Sequence, residues 1–520
     1  MASKSRPTSD SSAGPIVGLA VVVYSLLAWR LDFLCDDAYI TFRYAENWAN
    51  GHGLVYHPGI EQPVEGYSEF LWAILLGLGA KLGIGMEALS RLVSFASGAG
   101  LVGLSASLLV RVFAGKRSAA LWAALFVAAA SPVSAWATGG MATMPAAALA
   151  LWLFARLHAP LEDSDWRSRA LGLGAIGAAL ALVRADGALL VALVLGPGIA
   201  LGAAGGQSGL RRAALGGASL AAAAFLAHMA WRWSFYGDWM PNTARVKVGL
   251  TPAALSRGLD YLISCSLAMP GLIVAAIAAP AGLWLVRGRI GASAAAGALL
   301  VPVGVFAYAV TSGGDFMCFG RFVLPAVPFL GLGLGALLGS HPSAAAALVG
   351  LLAVGGGAAS TFDVHPVPVS IRRGFDVRHN QRLAGVSEAR SELAQWRNMA
   401  ARAEEWGRLG RALRAHAPAD ASLVYGAVGA VGYFSGLFIH DTNGLVTREV
   451  ALREIGPQLR SPGHDKMVPP TFFLKDEPDY LTAGVAPSGG IAALRQRFGP
   501  VVVLGPTEDS GEVVWVLPRP

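Results

Sequence analysis

Two adjacent carboxylates, Asp36 and Asp37, follow directly on the first apolar run of the chain, residues 16–34. An ionised side chain costs on the order of 3 kcal/mol at membrane depth, so the pair should lie at or just outside a membrane interface. Adjacent acids repel each other, which raises the pKa of one relative to the other, and such a carboxylate can act as a general base. The alternative is that the pair only marks where a helix leaves the membrane.

The elements that must position this pair are membrane helices. Of the 520 residues, 54% are hydrophobic and only 14% are charged, which is typical of a membrane protein with a soluble remainder. A membrane-spanning helix needs about 20 mostly apolar residues, and about eleven segments come close to this requirement. These segments are residues 16–34, 88–110, 119–137, 142–157, 170–183, 188–204, 213–235, 262–286, 292–310, 322–338 and 344–359.

The basic residues of the short loops indicate the orientation. If the short apolar segment 70–82 is an interfacial helix rather than a span, these residues all fall on one side, which the positive-inside rule makes cytoplasmic. They are Lys4, Arg6, Arg111, Lys116, Arg117, Arg156, Arg167, Arg169, Arg211, Arg212, Arg287 and Arg289. An odd number of spans then puts everything after residue 359 outside the cytoplasm.

The loops predicted on the outer side are longer and contain the unusual residues of the chain. They are residues 35–68, 136–143, 184–187, 236–247 and 313–322. Residues 42–48 have aromatic side chains at helical spacing, as in a helix that lies at the headgroup boundary. Because the inner loops are short and featureless, the sequence predicts that the functional site faces outward.

After residue 360 the composition changes to that of a soluble domain. Residues 372–416 are predicted to be mostly helical, and strand-like runs follow at 422–425, 437–440, 480–482, 501–504 and 513–517. Strands that alternate with helical pieces indicate a small α/β domain. The sequence thus predicts two domains: a transmembrane domain over 1–360, with its first outer loop at 35–68, and a soluble α/β domain over 361–520.

Several motifs, in this order, resemble the GT-C membrane glycosyltransferases. They are DDAYITFRYAEN at 36–47, GHGLV at 51–55, EGY at 65–67, YGDWMPNT at 236–243, GGD with RF at 313–322, and GHDK at 463–466. The most similar groups are the mycobacterial terminal β-(1→2)-arabinofuranosyltransferases and related bacterial proteins named for flagellar motor control. The resemblance covers nearly the whole chain.

The resemblance implies an α-helical polytopic membrane protein of the GT-C type in the bacterial inner (plasma) membrane, with an extracytoplasmic α/β domain. It implies an inverting transfer of a sugar, with arabinofuranose as one candidate, from a polyprenyl-phosphate donor. The acceptor would be an envelope glycan, lipid or protein at the outer face, and nucleic acid is not an expected partner. Asp36 would be the general base. Asp37 would orient it, bind acceptor hydroxyls or hold a divalent cation.

The leaving group of such a transfer is a phosphate, so cations are expected near the acids, because charge-assisted bonds to phosphoryl oxygens are strong. The candidates for phosphate binding are Arg321, Lys247, Arg245, Arg43, His464 and Lys466. The candidates for substrate contact are His52, Glu65, Tyr67, Asp238, Asn242 and Asp315. The alternative for each cation is an ordinary interfacial anchor, and the acids Asp238 and Asp315 are expected to pair with nearby cations.

One motif departs from the family pattern. Relatives tend to have Gly-x-Glu-Thr after the third span, whereas this chain has alanine at position 142. The missing carboxylate keeps a second hypothesis open, a transporter or non-catalytic regulator built on the same scaffold. The cysteines have no metal-ligand spacing, and Cys35 and Cys318 are expected to be free thiols, with a disulfide between them as the alternative.

Overall fold

The structure is a computed structural model that describes residues 13–112, 117–160, 165–202, 207–247, 249–378, 390–455, 459–508 and 511–520. Lys4, Arg6 and Lys116 of the predicted inner side lie outside these ranges. The helices of the apolar part are Ala13–Arg30, Asp36–Ala49, Phe70–Lys81, Met86–Val112, Arg117–Ala129, Ser131–Ala135, Thr143–Leu157, Trp166–Val183, Gly187–Gly202, Ser208–Tyr236, Asn242–Arg245, Pro252–Ala268, Gly271–Ile290, Ala292–Thr311, Val327–Ser340 and Ala344–Ala358, with 3-10 turns at Cys318–Ala326 and Ala359–Phe362.

Six helical segments are long and apolar enough to cross a membrane: Met86–Val112, Ser208–Tyr236, Gly271–Ile290, Ala292–Thr311, Cys318–Ser340 and Ala344–Phe362. Five shorter apolar helices accompany them: Gly14–Arg30, Phe70–Lys81, Arg117–Ala129, Thr143–Leu157 and Gly187–Gly202. The chain is therefore a multi-pass membrane protein, as predicted, while the count of eleven spans stays a prediction.

The predicted span 262–286 is wrong, because two helices share it. Pro252–Ala268 ends before Met269, whose backbone is not helical (φ −131°, ψ 67°), and Gly271–Ile290 begins after Pro270. Proline has no backbone N–H and ends a helix that precedes it. The hydropathy of the segment is continuous across this break, so composition alone does not reveal it.

Glycine allows the closest contact between the apolar helices. Gly271–Ile290 packs on Val327–Ser340, and a Cβ atom added at Gly282 would lie 2.1 Å from the Gly333 carbonyl oxygen. Small residues let helix backbones approach this closely in membranes, where dispersion contacts drive helix association. The many glycines and alanines of this chain therefore make a tightly packed bundle, which is a rigid base for the loops at its ends.

The C-terminal part contains a five-stranded mixed sheet in the order β2-β1-β3-β5-β4. Its strands are β1 (Ser422–Tyr425), β2 (Phe438–Asp441), β3 (Tyr480–Pro487), β4 (Val502–Pro506) and β5 (Glu512–Pro518). Strand β1 pairs in parallel with β2 and β3, and β5 is antiparallel to β3 and β4. The five predicted strands and the α/β domain are confirmed.

Short helices and one long helix complete this domain. They are Val369–Arg372, Glu392–His416, Ala430–Ser435, Arg448–Ala451 and Ile491–Phe498, with 3-10 turns at Arg373–Phe375, Pro470–Asp476 and Ser488–Gly490. The long helix was predicted as part of 372–416, and residues 379–389 of that prediction lie outside the described residues. Its Trp396 indole donates to the Leu31 carbonyl at the end of the first helix (3.1 Å), so the helix lies against the bundle.

The helix Asp36–Ala49, called the outer-loop helix below, packs between the bundle and the domain. The Arg43 guanidinium donates to the carbonyls of Gly432 (2.7 Å) and Leu437 (2.9 Å) in the domain. It also stacks on the Tyr56 ring at 4.1 Å, and the Tyr56 hydroxyl donates to the Val428 carbonyl. These buried contacts make the first loop and the C-terminal domain one packed unit.

Membrane orientation can be tested by labelling, because the three native cysteines are buried. Ser488 is exposed in the domain and Ser118 is exposed beside a predicted inner loop. If the positive-inside reading is correct, a membrane-impermeant maleimide should label Ser488→Cys in intact cells and Ser118→Cys only after permeabilisation. Labelling in the reverse pattern would overturn the predicted orientation of every loop.

Candidate active site at the junction of two cavities

Two cavities meet at the outer-loop helix. The first, about 320 Å³, is called the cation cavity and is lined by Lys247, Arg184, Arg321, Asp315, Tyr67 and Glu69, among others. The second, about 330 Å³, is called the domain cavity and is lined by Asp36, Asn398, Trp406, Gly426 and Asn443, among others. Five residues line both cavities: Asp37, Ile40, Phe316, Leu445 and His464. A molecule in either cavity can therefore contact the Asp37 side chain.

Asp37 is the acid at this junction. Burial raises the pKa of its carboxyl group above the ordinary value, Arg321 and Lys247 act in the opposite direction, and Asp315 raises it further. None of the described residues donates a hydrogen bond to its carboxylate. Its oxygens are thus available to a ligand, while nearby cations stabilise its charged form.

Asp36 lies one residue earlier and has different partners. Its carboxylate accepts hydrogen bonds from the backbone amides of Ala430 (2.7 Å) and Gly429 (3.3 Å), at the start of the helix Ala430–Ser435. Burial raises its pKa to about 7, and these two amides oppose that shift. The contact requires glycine at 429, where an added Cβ would lie 1.9 Å from the Asp36 carbonyl oxygen. Asp36 therefore joins the outer-loop helix to the C-terminal domain.

Three cations line the cation cavity, and they differ in their partners. Arg321 forms a bidentate salt bridge with Asp315 (2.8 and 3.2 Å), and Arg184 pairs with Asp186 at 2.6 Å. The Lys247 ammonium lies 5.2 Å from the centre of the Phe322 ring, and no salt bridge joins it to a carboxylate of the described residues. Burial and the charge of Arg321 lower its pKa. An anion that entered this cavity would supply the negative counter-charge that Lys247 lacks.

Glu69 is a carboxylate that the sequence reasoning missed. It is 3% exposed and lines the cation cavity, and its Oε1 accepts a hydrogen bond from the backbone amide of Ala142 at 3.1 Å. Its Oε2 is buried without a partner in the described structure, and burial raises its pKa to about 7. The family pattern leads one to expect a carboxylate at position 142. Here Glu69 supplies a carboxylate beside that position from the start of another helix.

A signal for Glu69 exists in the sequence. Glu69 directly precedes an apolar helix, Phe70–Lys81, whereas Asp36 and Asp37 directly follow an apolar run. In both cases the acid stands at the end of an apolar segment, where an ionised side chain is expected. The proximity of Glu69 to Ala142, 73 residues away, cannot be read from the local pattern.

Three of the predicted phosphate-binding cations lie outside the cation cavity. Arg43 is occupied by carbonyls of the domain, as described above. Arg245 forms a bidentate salt bridge with Asp238 (2.5 and 2.7 Å), and the Lys466 ammonium donates to the Ala451 carbonyl at 2.7 Å. These side chains hold the loops around the cavity rather than face its interior, and the expected pairing of Asp238 with a cation is confirmed.

Several predicted substrate contacts also have structural partners. Glu65 pairs with Arg232 at 2.6 Å and is buried, and the Asn242 side chain donates to the Gly444 carbonyl at 3.1 Å. His52 is exposed in a turn and lines neither cavity. Of the six predicted contacts, Tyr67 and Asp315 are the two that line the cation cavity.

His464 lies at the junction, but not as a cation. Burial lowers the pKa of its imidazole, so the ring is neutral near pH 7. Its Nδ1 lies 3.1 Å from the Ser461 hydroxyl, and its ring packs edge-on against Phe316. A neutral imidazole can exchange hydrogen bonds with a substrate, but it does not supply the charge that the sequence analysis expected.

The cysteines and acids give two further results. Cys35, Cys265 and Cys318 are free and buried, so the alternative of a Cys35–Cys318 disulfide is not realised in this structure. Within the part of the chain that the structure describes, no three His, Cys, Asp or Glu side chains form a group that could hold a metal ion. Asp37 and Glu69 line one cavity, yet they do not make a metal site with a third ligand.

Comparisons with known proteins agree with this architecture. Residues 392–505 match a family described as Domain of unknown function (DUF8728), and no curated protein sequence matches the chain. ArnT from Cupriavidus metallidurans bound to undecaprenyl phosphate is similar over 98% of both chains, with a TM-score of 0.58 and 16% identity. Its apo structure is similar over 96% of this chain and 97% of that chain, with a TM-score of 0.56 and 17% identity.

The apo oligosaccharyltransferase of Archaeoglobus fulgidus is a more distant neighbour. The similarity covers 83% of the present chain and 65% of the oligosaccharyltransferase chain, with a TM-score of 0.52 and 10% identity. Both proteins are glycosyltransferases with the GT-C fold. At such low identities the likeness establishes the fold alone. The chain is thus a multi-pass membrane protein with the GT-C fold and a C-terminal α/β domain.

Proposed function

We propose that this protein is an inverting glycosyltransferase that moves a sugar from a polyprenyl-phosphate donor to an envelope glycan, lipid or protein at the outer face of the membrane. The observation that carries the proposal is the position of Asp37. A carboxylate without a hydrogen-bond donor among the described residues lies where a cavity lined by cations meets a second cavity. The undecaprenyl phosphate bound to the similar ArnT structure supports a polyprenyl-linked donor.

The transfer needs one base and several cations. Asp37 removes the proton of an acceptor hydroxyl while the hydroxyl oxygen forms a bond to the anomeric carbon of the donor sugar. The bond from that carbon to the phosphate oxygen breaks on the opposite face, and its electron pair stays on the phosphate. The configuration at the anomeric carbon is therefore inverted. A positioned base contributes about 10²–10⁴-fold to such a reaction. Lys247 and Arg321 stabilise the charge that develops on the leaving phosphate.

Asp37 rather than Asp36 has the role of base, because backbone amides already occupy both Asp36 oxygens. Asp36 then has a positioning role, because its bonds to Gly429 and Ala430 hold the C-terminal domain against the outer-loop helix. The acids of the described residues do not form a ligand set for a divalent cation. The motif resemblance makes arabinofuranose the first donor sugar to test.

The competing transporter hypothesis expects ionisable side chains near the middle of the membrane. Here the acids and cations collect at the ends of helices, around the outer-loop helix. The competing regulator hypothesis rested on the missing acid at position 142. Since Glu69 brings a carboxylate to the amide of that residue, this argument against an enzyme loses its force.

The test is transfer by membranes from a deletion strain that expresses the protein, assayed with radiolabelled polyprenyl-phosphate sugars, arabinofuranose first. Lys247→Met should lower the rate by about 10²–10³-fold, the usual effect of removing one group that stabilises developing charge. Lys475→Met is the matched control, because Lys475 is exposed, pairs with Glu449 and, like Glu449, lines neither cavity. Transfer by Lys247→Met at the wild-type rate, or no transfer by the wild type from any polyprenyl-linked sugar, would refute the proposal.

A further inference from the structure

The domain cavity lies at the edge of the sheet where two parallel strands end. Strand β1 ends at Tyr425 and β2 at Asp441, and the residues that follow them, Gly426 and Asn443 among them, line the cavity. The long helix Glu392–His416 forms the opposite wall. In open sheets, ligands bind outside the carboxyl ends of parallel strands. The cavity thus has the position of a ligand site in the domain, which makes it more than a gap between domain and bundle.

The side chains of this cavity combine an aromatic ring with amides. Trp406 and Asn398 on the long helix and Asn443, two residues after the end of β2, all line the cavity. The Asn443 Nδ2 donates to the Gly426 carbonyl at 2.8 Å, whereas its Oδ1 is buried and has no partner among the described groups. A buried acceptor without a donor is costly. A ligand hydroxyl would satisfy it, and Trp406 would cover an apolar ligand face.

Charge in the cavity disfavours an anionic ligand. Its wall includes the two carboxylates Asp36 and Asp37. Three arginines also line it. Arg378 pairs with Glu392 and with Asp376, Arg402 pairs with Glu405 at 3.0 Å, and the third is Arg390. These guanidinium groups can donate hydrogen bonds to hydroxyls. The charges of Arg378 and Arg402 are compensated by their own partners, and Asp36 and Asp37 in the same wall offset the charge of Arg390. An apolar ring, donors, acceptors and little net positive charge together fit a neutral polyhydroxyl compound.

We infer that the domain cavity is the acceptor site and that it binds a neutral saccharide chain, with Trp406 against a sugar face and Asn443 on a hydroxyl. The inference rests on the proposed transfer reaction. A saccharide held here reaches Asp37 from one side, while the donor phosphate lies among the cations on the other side. The two substrates meet at the one acid that both cavities share. An acceptor site here would also give a role to residues 392–505, the segment that matches a family described as a domain of unknown function.

The test replaces the ring and measures the two substrates separately. Full-length wild type and Trp406→Leu are assayed in proteoliposomes with the accepted polyprenyl-phosphate sugar and neutral glycan fragments extracted from the deletion strain. Trp406→Leu should raise the KM for the glycan about tenfold, which corresponds to the loss of one aromatic contact. The KM for the donor should stay at the wild-type value, and Trp406→Tyr should recover part of the loss.

The control is Trp29→Leu, since Trp29 is 80% exposed on the first helix and lines neither cavity. Asn398→Leu should act in the same direction as Trp406→Leu, and a thermal melt checks that each variant folds. A rise in the donor KM, or an unchanged glycan KM in both cavity variants, would overturn the inference and leave the transferase intact.

A direct binding measurement separates this inference from the proposed function. Saturation-transfer NMR with the same neutral fragments should show binding to wild type and Trp29→Leu, and loss of binding in Trp406→Leu. If the wild type transfers no polyprenyl-linked sugar but this pattern holds, the proposed reaction fails and the saccharide site stands. If acidic fragments bind more tightly than neutral ones, or if Trp406→Leu binds as the wild type does, the saccharide site is refuted.

Discussion

Asp37→Asn should lower the turnover of sugar transfer by about 10²–10⁴-fold, the usual cost of losing a positioned general base. The amide has the shape of the carboxyl group, but it cannot accept the proton of the acceptor hydroxyl. Because no described residue donates a hydrogen bond to Asp37, the change should leave the fold intact. Donor affinity should change little, since the cations Lys247 and Arg321 remain. The measurement is the transfer assay, normalised to folded protein, with a thermal melt of each variant.

The pH profile gives an independent check on the same residue. Asp37 must be ionised to act as a base, and burial raises its pKa above the ordinary value of 3.8. The rate should therefore fall as the pH drops through this raised pKa, and the acidic limb of kcat/KM should lie above pH 3.8. In Asp37→Asn the residual rate should lose this limb. A limb that persists unchanged would assign it to another acid and weaken the case for Asp37.

Asp36→Asn is the matched comparison, because it makes the same change one residue away. Its carboxylate binds the amides of Gly429 and Ala430, and an amide side chain can keep one of these bonds. Such contacts at a helix start are worth about 1 kcal/mol. We expect a lower melting temperature and a smaller loss of turnover than in Asp37→Asn. The reverse order of the two turnover losses would restore Asp36 as the base.

These neighbouring acids show what the sequence can and cannot predict about the site. Two carboxylates after an apolar run predict a functional site there, and in the structure both line the domain cavity. Which of the two keeps its oxygens free of hydrogen-bond donors depends on contacts with residues 429 and 430, almost four hundred positions away. Glu69 was missed for the same reason, since its partner Ala142 lies on another helix. Local pattern finds candidate groups, and long-range packing decides which of them are occupied.

The fold follows the same division. Continuous hydropathy predicted the apolar helices, because a helix that crosses a membrane needs apolar side chains along its whole length. It also ran across Met269 and Pro270, where the backbone breaks. Alternating strands and helices predicted the α/β domain, while the order β2-β1-β3-β5-β4 depends on pairings that no single segment encodes. The domain cavity exists only because this order brings the ends of β1 and β2 together.

A buried ion pair between the bundle and the domain should have the largest effect on stability. Arg257, on the helix Pro252–Ala268, forms a bidentate salt bridge with Asp465 in the domain (2.8 and 3.0 Å). The two side chains are 2% and 0% exposed, and Arg257 also donates to the Gly313 carbonyl at 3.0 Å. The pair therefore fixes the domain beside the turn that leads to Asp315.

Asp465→Ala should destabilise the protein by about 3–5 kcal/mol, because it leaves the Arg257 charge buried without a partner. A thermal melt of the purified protein in detergent measures this loss, and faster proteolysis of the C-terminal domain should accompany it. The control is Glu405→Ala, which breaks the exposed pair with Arg402 and should cost less than about 1 kcal/mol. The double variant Arg257→Met with Asp465→Leu removes both charges and should recover most of the stability, since apolar side chains can replace a buried pair.

If Asp465→Ala melts like the control, the pair does not fix the domain to the bundle. If the double variant is no more stable than Asp465→Ala, the loss comes from packing around Asp465 rather than from an unpaired charge.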